Sequence, residues 1–279
     1  MRTALKAAVV LLPIVAVFLG LKLLRGNEPE RWLERVRPFD PDLEVVVSRD
    51  RLLVLAPNPY FGVAASATVE RFRDGLVREY GDLLGRPRSE RLVVVLFSSL
   101  DRLQAYYGDA TLDLGGGFRP HGFTVPRQGA IFLPPASTIP TLHHETVHWI
   151  MAMGHGGTVR HSPWLSEGLA QLFESWAPEA GPPRLDGHGR ALLRATAPPD
   201  VDRLLALEEY KDFLRRDVQR NYMDSLALTA FLFETRREGL QRYVDLERRA
   251  STGRAGAFAD IFRHQEPAFR EAFADYLGR

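Results

Sequence analysis

Apolar and polar positions change their period several times along the first half of the chain. Runs rich in valine and leucine at 43–50 (LEVVVSRD) and 51–57 (RLLVLAP), with turn residues between them, predict a β-hairpin. Residues 68–84 (TVERFRDGLVREYGDLL) have the period of an amphipathic helix, and residues 91–99 (RLVVVLFSS) are typical of a buried strand. This alternation of strands and helices predicts a mixed α/β lobe.

The second half of the chain has helical periodicity almost throughout. Two further short strands, near 117–125 and 130–133, complete the first lobe, and helical segments follow from Thr138 onward. The predicted fold class is therefore α+β, with a mixed α/β lobe over residues 41–136 followed by a helical lobe over residues 137–279.

The first 25 residues have a different pattern from the rest. Ala7 to Leu21 is an unbroken apolar run, and basic residues stand on both sides of it. Such a segment is typical of a secretory signal peptide or of an uncleaved membrane anchor, and a buried core helix is the remaining alternative. No small-x-small cleavage motif follows the apolar core, which favours the anchor. We expect a transmembrane segment within residues 1–25, a juxtamembrane linker at 26–40, and a domain outside the cytoplasm, secreted if the segment is cleaved.

Composition and charge exclude several classes of protein. The 36 basic residues nearly balance the 35 acidic ones, so the chain has no global field that would attract nucleic acid, and we expect no nucleic-acid partner. The chain contains no cysteine, which excludes disulfides, thiol catalysis and thiolate metal sites. Any metal ligands must therefore be histidines and carboxylates.

The run LHHETVHW at 142–149 carries candidate chemistry. A helix capped by Ser137 or Thr138 would place His144 and His148 one turn apart on one face, where both imidazoles can coordinate the same ion at about 2.0–2.1 Å. Glu145, beside the first histidine, can reach a water on that ion without being a ligand itself. This is the H-E-x-x-H arrangement.

A third ligand is needed to make the histidine pair specific. The segment SPWLSEGLAQLFE supplies Ser162 as N-cap and Pro163 at the first helical position, and Glu167 then projects from the second turn of a new helix. The turn between the two helices is long enough for the second to pack antiparallel to the first, opposite the histidines. Two histidines, one carboxylate and an open fourth position are typical of a catalytic zinc site.

The motif HETVH, followed after eighteen residues by the glutamate of WLSEGLA, resembles the gluzincin metallopeptidases, and the chain is most similar to their small peptidase-MA-like members. The specific match runs from His144 to Gln171. The resemblance implies a zincin (thermolysin-like) catalytic domain that hydrolyses a peptide or protein substrate, with one zinc ion (Zn2+) held by His144, His148 and Glu167 and with Glu145 as general base. It also implies a downstream tyrosine that stabilises the oxyanion, for which Tyr222 is the candidate, with a packed core aromatic as the alternative.

The sequence departs from the larger aminopeptidases of this clan. The stretch before the zinc helix, GFTVPRQGAIFLPPAS at 122–137, has no acidic residue to bind a free amino terminus. The strand Ala130 to Leu133 is instead a candidate cleft edge for an extended peptide, as in an endopeptidase. Gln171, one turn after Glu167, is a candidate partner for a ligand histidine, or else faces solvent.

Two classes of function remain open from the sequence. One is an active zinc metallopeptidase. The other is a non-catalytic module that keeps the zincin scaffold and binds a peptide or a cell-envelope partner. The presence of Glu145 favours the enzyme, because a binding site has no use for a base beside the water.

Overall fold

The structure is a computed structural model that describes residues 28–87, 90–109, 120–135, 139–154, 161–185, 187–195, 198–249 and 254–278. It contains the strands β1 (Glu44–Arg49), β2 (Leu52–Ala56), β3 (Leu92–Leu96), β4 (Phe123–Val125) and β5 (Ala130–Leu133). The helices are α1 (Glu28–Val36), α2 (Pro59–Leu84), α3 (Leu100–Asp109), α4 (Ile139–Met153), α5 (Pro163–Glu174), α6 (Gly187–Ala195), α7 (Val201–Leu205), α8 (Tyr210–Phe213), α9 (Val218–Thr235), α10 (Arg237–Arg249), α11 (Arg254–Phe262) and α12 (Pro267–Gly278).

One five-stranded mixed sheet has the order β1-β2-β3-β5-β4. The predicted hairpin is confirmed, because β1 and β2 pair antiparallel. Strand β3 pairs parallel with β2 and with β5, and β4 pairs antiparallel with β5. The mixed sheet followed by helices agrees with the α+β part of the predicted fold class.

Each central strand contributes side chains to two separate cores. In β2, Leu52 and Val54 enter a large core shared with α2 and the helices that follow, whereas Leu53 and Leu55 enter a smaller core under α1 and α3. The period of two along the strand causes this division. The central strands are apolar on both faces because helices cover both.

Strand β5 is not the edge of the sheet. It is hydrogen-bonded to β3 on one side and to β4 on the other, so the prediction that Ala130 to Leu133 forms the cleft edge is wrong. The edge of the described sheet on this side is β4, and β4 packs against α4, the helix that carries the two histidines.

The predicted fold class included an N-terminal transmembrane segment, and that part must be corrected. In the described part of the chain, no helix combines the length and the apolar character needed to span a bilayer. The longest, α2, carries charged side chains along its length, such as Glu70, Arg71 and Asp74. Residues 1–25, to which the segment was assigned, lie outside the described residues. The fold class of the described residues is therefore mixed α/β.

The segment 26–40, interpreted above as a linker, contains helix α1. Trp32, Leu33 and Val36 of this helix are buried in the smaller core. The folded unit thus begins before residue 41, because α1 covers one face of the sheet.

The close approach of α5 and α9 depends on Gly168. A Cβ atom at this position would lie 2.1 Å from Oγ1 of Thr229 and 2.5 Å from the carbonyl oxygen of Ser225. Glycine lets the two helix backbones approach this closely, next to the candidate ligand Glu167.

Candidate metal centre

The structure brings the three predicted ligands together. His144 and His148 face the same side of α4, one turn apart, and Glu167 projects toward them from the second turn of α5. The two helices pack directly on each other. Pro163 stands at the start of α5 as predicted, which sets the turn of the helix from which Glu167 extends.

The three facing atoms form a nearly equilateral triangle. Nε2 of His144 and Nε2 of His148 are 3.1 Å apart, and Oε2 of Glu167 lies 3.3 Å from the first and 3.4 Å from the second. Tetrahedral ligands at about 2.0–2.1 Å from one ion are themselves about 3.3 Å apart. The spacing of the three atoms therefore fits a common cation, and this buried group could hold a metal ion.

Hydrogen-bond chemistry gives a second test of this fit. Nδ1 of His144 lies 3.3 Å from Oε2 of Glu174, and Nδ1 of His148 lies 3.0 Å from Oγ of Ser166. A carboxylate only accepts, so a neutral His144 places its proton on Nδ1 and a lone pair on Nε2. The Ser166 hydroxyl can accept from Nδ1 of His148, which allows the same tautomer there. Oε2 of Glu167 is buried and has no hydrogen-bond partner. Three lone-pair donors thus face one another, an arrangement that a cation stabilises.

The partners of the two imidazoles differ from the one that the sequence suggested. Ser166 and Glu174 orient the rings, whereas the structure shows no hydrogen bond from Gln171 to either histidine. Glu174 is seven residues beyond Glu167, two turns further along the same face of α5. That periodicity was the signal in the sequence that could have identified it.

The electrostatic environment of the triangle favours positive charge. Burial alone would lower the pKa of His144, but the adjacent carboxylates of Glu167 and Glu174 outweigh burial and raise that pKa to about 10. Burial alone would raise the pKa of Glu167, but the adjacent imidazoles of His148 and His144 outweigh burial and hold that pKa well below its usual range. Without a metal ion, a proton on His144 would supply the positive charge at neutral pH.

Glu145 lies beside the triangle and is not one of its corners. Its side chain is buried, and Oγ1 of Thr124 in β4 lies 2.8 Å from its Oε2. Glu145 is not a member of the group that could hold the ion, and its role as general base stays a prediction. Sequence reasoning missed Thr124, because no spacing rule links a residue of β4 to the helix that follows β5.

Two tyrosine hydroxyls approach the triangle from the helical side. Burial, followed by the negative charges of Glu167 and Glu145, raises the pKa of Tyr222 well above its ordinary value. Burial and the charge of Glu167 likewise raise the pKa of Tyr210, while a hydrogen bond with Ser166 opposes the rise. Both hydroxyls are therefore protonated at neutral pH and are potential donors. The sequence analysis considered Tyr222 but missed Tyr210, which lies in the short helix α8.

The ring of Tyr222 also has a packing role. It makes an edge-to-face contact with Phe213, with ring centroids 5.4 Å apart. The packing alternative for this tyrosine is therefore confirmed, whereas its role at an oxyanion stays a prediction.

A buried polar network holds the two tyrosine-bearing segments together. The side-chain amide of Asn221 in α9 donates to the main-chain carbonyls of Phe213 and Arg216, which belong to the segment after Tyr210. Arg203 donates to Oδ1 of Asn221 at 2.7 Å and to Oδ2 of Asp224 at 2.9 Å. The positions of α8 and α9 at the metal centre are therefore fixed by interactions away from it.

Two other histidines of this region have structural contacts. His143 faces the neighbouring helix α2, where its ring stacks on that of Phe72 with centroids 3.7 Å apart, and its Nδ1 lies 3.0 Å from the carbonyl oxygen of Glu174. His161 is buried and pairs with Glu247.

Similarity to known proteins does not identify this site, so its geometry alone defines it. The chain matches no family model and no curated protein. The class that the structure supports directly is a mixed α/β protein with a buried two-histidine, one-glutamate group able to hold a metal ion.

Proposed function

We propose that this chain is a zinc-dependent metallopeptidase of the gluzincin type. The single observation that carries the proposal is the triangle of His144, His148 and Glu167 with a carboxylate, Glu145, beside it and outside it. Zinc is the metal that two imidazoles and one carboxylate most commonly hold in catalytic sites. When bound, zinc supplies Lewis acidity, which acidifies water and polarises a carbonyl group.

The side chains around the triangle supply the proton transfers. Glu145 takes a proton from the attacking water and passes it to the leaving amine, the role of a general base followed by a general acid. Tyr222, kept protonated by burial and by nearby carboxylates, donates a hydrogen bond to the oxyanion that develops on the scissile carbonyl. Glu174 and Ser166 keep the imidazoles oriented toward the metal position.

The substrate is best described as an extended peptide. Strand β4 lies at the edge of the described sheet and borders the helix with Glu145, so a peptide could add to this strand by main-chain hydrogen bonds. Such binding holds the substrate by its main chain on both sides of the scissile bond, as an endopeptidase requires. Strand β4 thus takes the place that the sequence analysis gave to β5.

The test combines metal content with turnover in purified wild type and Glu145→Gln. We expect both proteins to bind one equivalent of zinc by elemental analysis, because Glu145 is not a ligand. We expect kcat on an internally quenched peptide library to fall by about 10²–10⁴-fold in the variant, the usual contribution of general acid–base catalysis. Glu271→Gln, an exposed glutamate of α12, is the matched control and should behave as wild type.

Three outcomes would contradict the proposal in different ways. Absence of zinc from the wild type would contradict the proposed metal centre. Equal turnover in wild type and Glu145→Gln would contradict the role of Glu145 as general base. Stoichiometric zinc with no cleavage of any library peptide, and a peptide partner retained equally by both proteins, would favour the non-catalytic binding module.

A further inference from the structure

The hydroxyl of Thr124 contacts Glu145 at two points. Oγ1 lies 2.8 Å from the carboxylate oxygen Oε2 and 3.0 Å from the main-chain carbonyl oxygen of the same residue. A hydroxyl has one proton to donate, and the ionised carboxylate is the closer and stronger acceptor. Thr124 therefore donates to the Glu145 carboxylate while lying next to the main chain of the same residue, which restricts the torsions of its side chain.

The strand directs Thr124 to this position. Its neighbours Phe123 and Val125 are buried in the smaller core on the other face of the sheet. Because successive side chains of a strand point to opposite faces, Thr124 faces α4. The backbone just before β4 is also close to the base, since a Cβ atom at Gly122 would lie 3.6 Å from Cγ of Glu145.

Fixing one carboxylate oxygen determines the role of the other. With Oε2 bound by Thr124, Oε1 is the oxygen that remains to receive a proton. A flexible glutamate populates several rotamers, of which few place an oxygen at the reacting water, and a general base acts only within hydrogen-bond reach of its proton. A side chain held in one productive rotamer keeps its oxygen within reach of the reacting water.

We propose that Thr124 is a positioning residue for Glu145. Through Thr124, the edge strand β4, which receives the substrate, also holds the general base Glu145 in place. This inference rests on the proposed peptidase function for its effect on rate, but its structural part is independent of turnover. It assigns Thr124 no contact with the reacting atoms.

The kinetic test compares Thr124→Val, which keeps the shape and strand propensity of threonine but cannot donate, with Thr124→Ser, which can. We expect Thr124→Val to lower kcat on the quenched peptide library by about 10–100-fold, as loss of an orienting hydrogen bond does at metal sites, with KM changed less than about twofold. Thr124→Ser should keep at least about one third of the wild-type kcat. Zinc content and thermal stability should be unchanged in both.

Thr235→Val is the matched control. The Thr235 hydroxyl donates to the carbonyl oxygen of Phe231 at the far end of α9, so this variant loses a comparable hydrogen bond away from the metal centre. It should retain wild-type kcat. An unchanged kcat in Thr124→Val, or a loss confined to KM, would overturn the positioning role.

Crystal structures of wild type and Thr124→Val test the same inference without any turnover. We expect the Glu145 carboxylate to shift by about 1 Å or more while His144, His148 and Glu167 stay in place, a displacement large enough to remove productive geometry. If the carboxylate occupies one position in both structures, the inference is wrong whatever the kinetics. If the wild type cleaves no peptide but the carboxylate moves, the peptidase proposal fails and the positioning role stands.

Discussion

Two buried clusters of histidine and glutamate lie at α5, and they differ in how their donors and acceptors are matched. In the first, His144, His148 and Glu167 direct three lone-pair atoms at one another, 3.1–3.4 Å apart. In the second, Glu247 of α10 accepts from the hydroxyl and the main-chain N–H of Ser162 and lies 3.1 Å from Nδ1 of His161. The same residue types thus make one site that a cation would complete and one whose carboxylate is already matched by protein donors.

This comparison shows that residue type and burial alone do not identify a metal centre. Both clusters contain a carboxylate that is more than nine-tenths buried. The carboxylate of Glu247 is matched by donors at both oxygens and ties α10 to the start of α5. Oε2 of Glu167 is not matched by any hydrogen bond. We infer that the first cluster serves function, whereas the second stabilises the fold.

The largest expected effect comes from Glu167→Gln. An amide of the same size is a poor zinc ligand, so zinc affinity should fall by more than about a hundredfold, and peptide cleavage should be lost with it. Zinc at a thousand times its Kd should stabilise the wild type by about 4 kcal/mol, and this stabilisation should be absent from the variant. Isothermal titration with zinc and thermal denaturation with and without zinc measure the two effects.

The matched substitution in the second cluster, Glu247→Gln, should lower the stability of the fold and leave zinc affinity nearly unchanged. An amide accepts at one end only, so the variant cannot keep all of the hydrogen bonds to Ser162 and the pairing with His161, and the free energy of unfolding should fall by about 3 kcal/mol. Urea denaturation in the presence of EDTA measures this loss. Zinc affinity of the folded variant should stay within about tenfold of wild type, and a loss as large as that of Glu167→Gln would contradict the division between the clusters.

A smaller effect on stability is expected when a change of pH protonates Glu247. Burial alone would raise the pKa of Glu247, but its hydrogen bonds with His161 and Ser162 and the charge of His161 outweigh burial and lower the pKa below its ordinary value of 4.5. Because the pKa is lower in the folded chain, the ionised carboxylate contributes its full stability above about pH 4.5 and loses it as pH falls through the folded pKa.

The stability difference between wild type and Glu247→Gln should therefore shrink between about pH 5 and pH 3. Urea denaturation of both proteins at several pH values measures it. A difference that is independent of pH over this range would show that the contribution of Glu247 does not depend on its charge.

Local spacing predicted the centre of the site well. The i, i+4 histidines and the glutamate after a Ser-Pro helix start needed only helical geometry and a turn long enough to reverse the chain. Predictions that needed neighbours from elsewhere in the chain were incomplete. No pattern in the sequence indicated Thr124 or Tyr210, and spacing suggested Gln171 where Glu174 and Ser166 make the contacts.

The misassigned cleft edge has a similar origin. The segment 130–133 is a short apolar run, and such a run predicts a strand but not its neighbours. Pairing with β3 places it inside the sheet, and only the return of β4 on its other side defines the edge.

The amino-acid sequence by itself determined the hairpin of β1 and β2, the helical face with His144 and His148, and the absence of thiol chemistry. These features depend on residue type and on the fixed periods of helix and strand. The tertiary structure decided which carboxylate is matched by donors and which is not, and which hydroxyl holds Glu145. Hydrogen-bond matching depends on distances of a few ångströms between residues far apart in the chain, and only the packing of α4, α5, α9 and β4 sets those distances.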